Sequence, residues 1–410
     1  MRLGKLSLFC LAALLPGLLR ADGPEVSAPV PDTEASPPTA PAVEYIPLRG
    51  VVFRTADRLF ELAIGANLQF RFTKFKFDDV PNAQPDADEF RVRRFKLYLT
   101  GYAFDPHLTY RFQVAFENVA NGKLLLDDAL LNYKFMDEVS AQGGQSKTPY
   151  SRDELYNDGV IQFQERAAAV EAFKPGRDIG AGFTGTVGKG LFVYYAAVFG
   201  GVGQTTLRAT DHVMPMLRLV VNPLGELGQG EADLDAKPDP RVSVGVDGFT
   251  NTLKKIDDRN FESNVPNYAS STGWLGRGIG LFRTGENVAI RSASADVQFK
   301  WSGLSAQAEY FAGRAEGDTG GAILRAKGWY GQVGYLVVPG KLDVALRYSV
   351  VDPNRAVSRD VASTVTGAAD YYFRRHNVKL QGEYSRAHRQ VPARGTANDQ
   401  VFRLQVQLML

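Results

Sequence analysis

The chain of 410 residues is 44% hydrophobic, 22% charged and 11% aromatic, with 41 glycines, 21 prolines, four histidines and one cysteine. Length alone suits two or three domains, although a large β-barrel can run this long as one unit. No long apolar run follows residue 20, which excludes a helical membrane protein, and so few histidines and cysteines leave little material for metal or thiol chemistry.

Arg2 and Lys5 precede an apolar stretch from Leu6 to Leu19, and Ala21 follows as a small residue suited to cleavage. This pattern predicts a secretory signal peptide over residues 1–21, too short and too poorly flanked for a membrane anchor. Cleavage there removes Cys10, the only cysteine, so disulfides cannot hold the mature chain together. Losing Arg2, Lys5 and Arg20 leaves 44 basic against 45 acidic residues, a net of −1. That balance points to no nucleic acid or other polyanionic partner.

From Asp22 to Pro47, seven prolines lie among Ala, Glu, Ser and Thr. Such a composition buries too little apolar surface to offset its ordering entropy, and residues 22–49 are expected to form an extended periplasmic tail.

After Arg49 the sequence alternates. Leu62, Ile64, Ala66, Leu68, Phe70 and Phe72 share one parity; Glu61, Ala63, Gly65, Asn67, Gln69 and Arg71 take the other. The same period of two returns over 108–116 and 342–350, and in Phe402, Leu404, Val406, Leu408 and Leu410 at the chain end. Short connections are predicted at Asp105-Pro106, Met136 to Glu138, Val187 to Lys189, Ser302-Gly303, Pro339-Gly340 and Arg374-Arg375. Longer polar stretches lie between them, at 74–88, 118–123, 147–176, 200–212, 251–286, 314–326, 352–364 and 389–397. Short turns alternating with long loops are the pattern of a transmembrane barrel. The fold expected over 50–410 is all-β, a sixteen-stranded antiparallel transmembrane β-barrel. A ring of that size leaves a water-filled channel. The connection 223–240, with Pro223, Pro238 and Pro240, is too long for its side of the ring.

Several segments resemble the phosphate-selective porin O and P family of outer-membrane proteins: EFRVRRFKLYLTG at 89–101, DALLNYKF at 128–135, GGQSKTPYSRDEL at 143–155, Gln164-Glu165-Arg166, FKPGRDIG at 173–180 and RLVVNPLG at 218–225. The resemblance implies a sixteen-stranded channel in the outer membrane of a Gram-negative bacterium, often trimeric, with its third outer loop folded inward. It further implies passive passage of small hydrophilic solutes, with preference for anions, including phosphate or polyphosphate. The partners expected are outer-membrane lipid, permeating small anions and two further copies in a homotrimer.

If the apolar parity faces lipid, Arg71, Arg94, Lys96 and Arg111 on the first strands form a basic wall inside. Arg91 and Arg93 take no settled side, because parity changes around Arg93-Arg94. The constriction loop is expected at 147–176, with Lys147, Arg152, Arg166 and neighbouring Arg177 as further anion-binding candidates. Its stretch Gln162–Phe173 has enough helix formers to turn helically. Arg166 and Arg177 either face permeating anions or anchor the loop to wall carboxylates. A general or cation-preferring porin, and a structural protein with a plugged lumen, stay open as alternatives. No catalytic constellation, cofactor site or metal site is expected: His107, His212, His376 and His388 show no serine pairing readable from sequence, and acidic pairs such as Asp78-Asp79, Asp127-Asp128 and Asp257-Asp258, which could hold calcium or cations bridging lipopolysaccharide, are more often ordinary solvated loop or rim charges.

Overall fold

The computed structural model describes residues 42–410 except 79–84, 117–123, 207–210, 263–265 and 392–394. The signal peptide and most of the proline-rich tail therefore lie outside the described residues. Two short strands, β1 (Ala42–Ile46) and β2 (Gly50–Arg54), precede sixteen long ones. These are β3 (Phe60–Lys76), β4 (Ala87–Ala103), β5 (Asp105–Ala115), β6 (Leu125–Met136), β7 (Val139–Lys147), β8 (Arg177–Val187), β9 (Phe192–Phe199) and β10 (Met214–Val221). They continue with β11 (Arg241–Lys254), β12 (Asn287–Trp301), β13 (Leu304–Gly317), β14 (Ile323–Val338), β15 (Leu342–Asp352), β16 (Ala362–Arg374), β17 (Val378–Val391) and β18 (Gly395–Met409).

Each of the sixteen pairs antiparallel with its sequence neighbour, and β18 closes on β3 from Gln400↔Lys76 to Met409↔Asn67. Closure pairs the two end strands of the ring with each other, which a sheet in hydrocarbon requires. One gap remains below the chain terminus, because β3 runs past Leu410. There β2 pairs with the same edge, Val51↔Ile64 to Arg54↔Glu61, and β1 pairs back onto β2. The ordered hairpin thus begins inside the span read as tail: Val43, Tyr45 and Ile46 give its last residues strand character that the proline-rich part lacks.

Burial inverts the rule for a soluble sheet. Along β3, Phe70 is 50% exposed while its neighbours Gln69 and Arg71 are fully buried; on β18, Val406 is exposed and Gln407 buried. Apolar side chains therefore cover the outside, and polar ones line the inside. Outward aromatics form two tiers, with Phe192, Trp301, Tyr335 and Phe373 near the short turns and Tyr310, Trp329, Tyr348 and Tyr384 farther up, about the middle of their strands.

The turn expected at Asp105-Pro106 falls one residue earlier, at Phe104 with φ 67°. The helix expected over 162–173 covers only α2 (Ala168–Phe173), after a single turn α1 (Arg152–Leu155). Between them the chain turns at 157–160 and then bends without helical hydrogen bonds, its backbone held from outside: Gln162 N–H donates to Glu231 and Gln164 N–H to Glu383.

Candidate functional site

The segment 148–176 joins β7 to β8, yet its bonds reach the far side of the ring. Tyr150 shares a hydrogen bond with Ser292, Arg152 Nε lies 2.6 Å from Asp296, Gln162 Nε2 donates to Asp343, and Ala169 N–H donates to Ser349. These partners belong to β12, β15 and their inward parity. Aromatic packing fixes the same side: Phe173 stacks on Phe311 at 5.5 Å and on Trp274 at 5.9 Å, and Tyr150 meets Phe249 edge-on at 5.2 Å. Glycines on the wall make room, since a Cβ at Gly313 would stand 2.7 Å from the Trp274 ring and one at Gly328 2.8 Å from Phe173.

Two further segments join this mass. The 255–286 loop carries Tyr268 and Trp274 (the latter opening α3, Trp274–Arg277), both fully buried, and Tyr268 N–H donates to Lys174 O. From the turn side, the 222–240 connection reaches up: Glu231 N–H donates to Val160 O, Lys300 Nζ to Gly230 O, and Arg241 pairs with Asp233 at 2.5 Å. The excess length of that connection therefore goes into contact with the 148–176 segment.

Opposite this packed half, charge dominates. Two β-bulges shape it. The register of β4 against β3 slips so that Gln69 faces Arg94 and Phe70 faces Val92, leaving Arg93 as the extra residue. Strict alternation would send Arg93 and Arg94 to opposite faces; the bulge turns both toward Glu165, at 2.7 and 3.4 Å. The second bulge lies on β6, where Gln113 faces Asp128 and Val114 faces Leu126. Asp127 is the extra residue there, and both acids are buried inside.

Loop carboxylates then interleave with wall cations. Arg71 Nη1 lies 2.5 Å from Glu165 and its other nitrogens donate to Gln405. Asp158 receives Arg94 at 3.2 Å, Lys96 at 2.9 Å and Arg166 at 2.5 Å. Arg166 also meets Glu154 at 2.8 Å, so its carboxylate partners belong to the loop itself. Arg177 lies 2.7 Å from Asp128 and 3.5 Å from Asp127, with Arg111 4.0 Å from Asp128. Burial alone would raise these loop acids, but the cations outweigh it: Lys96, Arg94 and Arg166 hold Asp158 well below the usual carboxylate range, and Arg94, Arg93 and Arg71 do the same for Glu165. Both loop acids are therefore charged at any physiological pH.

Lys147 differs. Its Nζ donates to the carbonyls of Glu154 and Tyr156, each at 2.7 Å, and among the described residues no carboxylate sits within ion-pair distance. Beside it runs a cavity of about 120 Å³, lined by Lys96, Tyr98, Thr100, Arg111, Gln113, Asp128, Lys147, Arg177 and the loop residues Leu155 to Asp158, with Arg49 and Gly230 toward the turns. Five cationic side chains (Arg49, Lys96, Arg111, Lys147, Arg177) and two carboxylates, Asp128 and Asp158, line it; just behind, Arg49 pairs with Glu61 at 2.5 Å and Lys96 with Asp127 at 3.1 Å.

Of the eight basic candidates read from sequence, Lys96, Arg111, Lys147 and Arg177 come together around this cavity. Arg71, Arg94 and Arg166 lie buried behind it in ion pairs, and Arg152 is on the opposite wall with Asp296. Sequence reasoning missed Arg93, Asp127 and Asp128 as parts of the arrangement. The available signal was the consecutive charged pair within an otherwise alternating strand, which is what a bulge requires.

The profile of the family described as phosphate-selective porin O and P matches residues 62–241 and 275–410. A protein of Aquifex aeolicus (strain VF5), itself uncharacterized, is 24% identical over 272 residues, 61% of this chain; the chain spans about 60% of the length of that curated relative. Among solved structures the chain is similar to the anion-selective porin from Comamonas acidovorans (8% identity, TM-score 0.60, covering 86% of this chain and 100% of that one). It is also similar to the outer membrane channel DcaP of Acinetobacter baumannii (13%, 0.56, 86% and 97%) and to the trimer form of OmpT of Vibrio cholerae (11%, 0.56, 86% and 99%). At such identities the likeness is one of fold. With a closed sixteen-stranded ring, an apolar outside and a family match over most of its length, the chain belongs to the phosphate-selective porin O and P family and resides in a Gram-negative outer membrane.

Proposed function

We propose that the protein is a passive diffusion channel for small hydrophilic solutes that prefers anions, inorganic phosphate among them, and that it works as a homotrimer. The observation that carries this reading is the cavity between the β4–β8 wall and loop residues 155–158, where five cations meet Asp128 and Asp158 in the lining and Glu61 and Asp127 behind it, leaving Lys147 without an ion-pair partner among the described residues. A channel selects where it is narrowest, because there an ion sheds water and meets side chains directly. Net charge of the whole chain matters little, since charges beyond the Debye length, about 8 Å at physiological salt, are largely screened. The trimer form of OmpT and the anion-selective Comamonas porin support the assembly and the selectivity by likeness of fold.

A second reading, a barrel closed to solutes, is favoured by the contact of Glu231 with Val160 and Gln162, where segments from the two ends meet. Planar-bilayer recording separates the two. The channel reading expects discrete conductance steps and a zero-current potential in a KCl gradient that reports chloride over potassium; a silent bilayer supports the closed barrel, and potassium preference removes the anion assignment.

A further inference from the structure

On the outside of the barrel, far from the passage in function, the loop-side rim of β12–β14 carries charge that the channel reading does not use. Register places Arg291 directly opposite Arg314, and Arg314 directly opposite Arg325. All three belong to the outward parity, and Arg291 and Arg325 are exposed. Like charges directly opposite across strands are destabilising. Only Arg314 has a carboxylate among the described residues, Glu316 at 2.8 Å; Lys327, one pleat below, lies 3.7 Å from Asp352. Arg355 joins the group, its backbone N–H bonded to Arg325 O.

The height of this row is informative. Tyr310 and Trp329 face each other on β13 and β14 in the outward aromatic belt. Arg314 and Arg325 stand four residues beyond them, about 13 Å along the strand and about 10 Å above the belt at the usual tilt. That is the level of lipid phosphates rather than of acyl chains or open solvent. Directly beneath the arginines, Gly248, Ala293 and Ala312 share one outward row, between Leu217 on one side and Tyr310 below. Their small side chains leave a surface trough of about 720 Å³ that runs from the arginines down into the apolar band.

We propose that this face binds a phosphorylated, acylated glycolipid of the outer leaflet. Arg291, Arg314 and Arg325 take its phosphate groups, and the trough over Gly248, Ala293 and Ala312 seats one acyl chain. Guanidinium groups match phosphate oxygens two at a time, so bound phosphates turn a repulsive row into an attractive one.

The test uses the full purified barrel in detergent and lipopolysaccharide as the probe, with binding read by native mass spectrometry. The variant R291Q/R314Q/R325Q is expected to lose at least tenfold in affinity, and wild-type protein is expected to bind lipopolysaccharide stripped of its lipid phosphates at least tenfold more weakly. Binding should persist in a divalent-cation chelator, since the arginines need no bridging ion. Retained affinity in the triple variant overturns the proposal, as does equal binding of the dephosphorylated probe. Loss of oligomer with unchanged lipopolysaccharide affinity overturns it too and makes the face a subunit contact. Should the triple variant fail to fold, Ala312→Trp fills the trough from outside, and wild-type affinity in that variant refutes the seat for the acyl chain.

Discussion

Replacing Lys147 by Gln separates a cation that acts on permeating ions from one that is spent on structure. Lys147 lines the passage and bonds only to carbonyl oxygens, at 2.7 Å each. Gln retains a donor for one of them, and the loop keeps its many other tethers, so the channel should stay assembled. A unit charge about 4 Å from an ion contributes ~1 kcal/mol in water and ~4 kcal/mol at an effective dielectric of 20. Even the lower figure changes local anion occupancy about fivefold. Screening makes the effect dependent on salt, with a Debye length of about 10 Å at 0.1 M and about 3 Å at 1 M. Zero-current potentials in KCl gradients should therefore move toward potassium in Lys147→Gln, strongly near 0.1 M and little near 1 M. Arg71→Gln should shift them less, because Arg71 is fully buried behind the passage and Glu165 keeps Arg93 and Arg94. Equal shifts for the two variants, or none for Lys147→Gln at low salt, would show that Lys147 does not act on permeating ions.

Glu165→Gln leaves Arg71, Arg93 and Arg94 sharing fewer acceptors; with Glu165 about one quarter exposed, the loss should be about 1–3 kcal/mol of stability together with stronger anion preference, read from the temperature of the gel-mobility shift and from zero-current potentials. Burial, reinforced by Asp153, pushes the Glu231 carboxyl up to about 7. A carboxyl raised in the fold costs nothing below its unfolded value near 4.3, and its cost is complete above about 7. Glu231→Gln should thus stabilise the barrel by about 3–4 kcal/mol at pH 8 and leave it unchanged at pH 4; equal shifts at both pH values would contradict this. Deleting Leu408 to Leu410 removes Leu408↔Leu68, Met409↔Asn67 and the bond from Leu410 N–H to Ala66 O, so membrane insertion and the heat-dependent gel shift should both be lost.

The barrel was legible because one period runs through every strand, and the expected turns near 137, 188, 302, 339 and 375 coincide with the observed ones. Loop lengths were overestimated where strands continue above the membrane: the stretch read as 314–326 shrinks to 318–322, since Arg314, Glu316 and Arg325 stay paired in the sheet although no longer apolar. The basic side of the ring was also readable as parity. What it could not reveal is neutralisation. Whether Arg71 or Lys147 meets a carboxylate depends on where Glu165 and Asp158 are carried by the loop, and that is set by contacts more than 90 residues away in sequence. The bulges at Arg93 and Asp127 break the period locally, and the aromatic packing of Tyr268 and Trp274 hides inside a loop that looks merely polar.

Solutes are proposed to pass between the β4–β8 wall and loop residues 155–158, under a positive field. Cys10, the one native cysteine, falls in the segment read as a signal peptide, so single cysteines can be introduced at Thr100, which lines the passage, and at Gln307, buried in the packed half. Anionic and cationic thiol reagents of equal size are then applied to single channels. Thr100→Cys should react, several-fold faster with the anionic reagent, and conductance should fall, while Gln307→Cys should stay silent. Reaction at Gln307→Cys alone, or faster reaction of the cationic reagent at Thr100→Cys, would contradict this route.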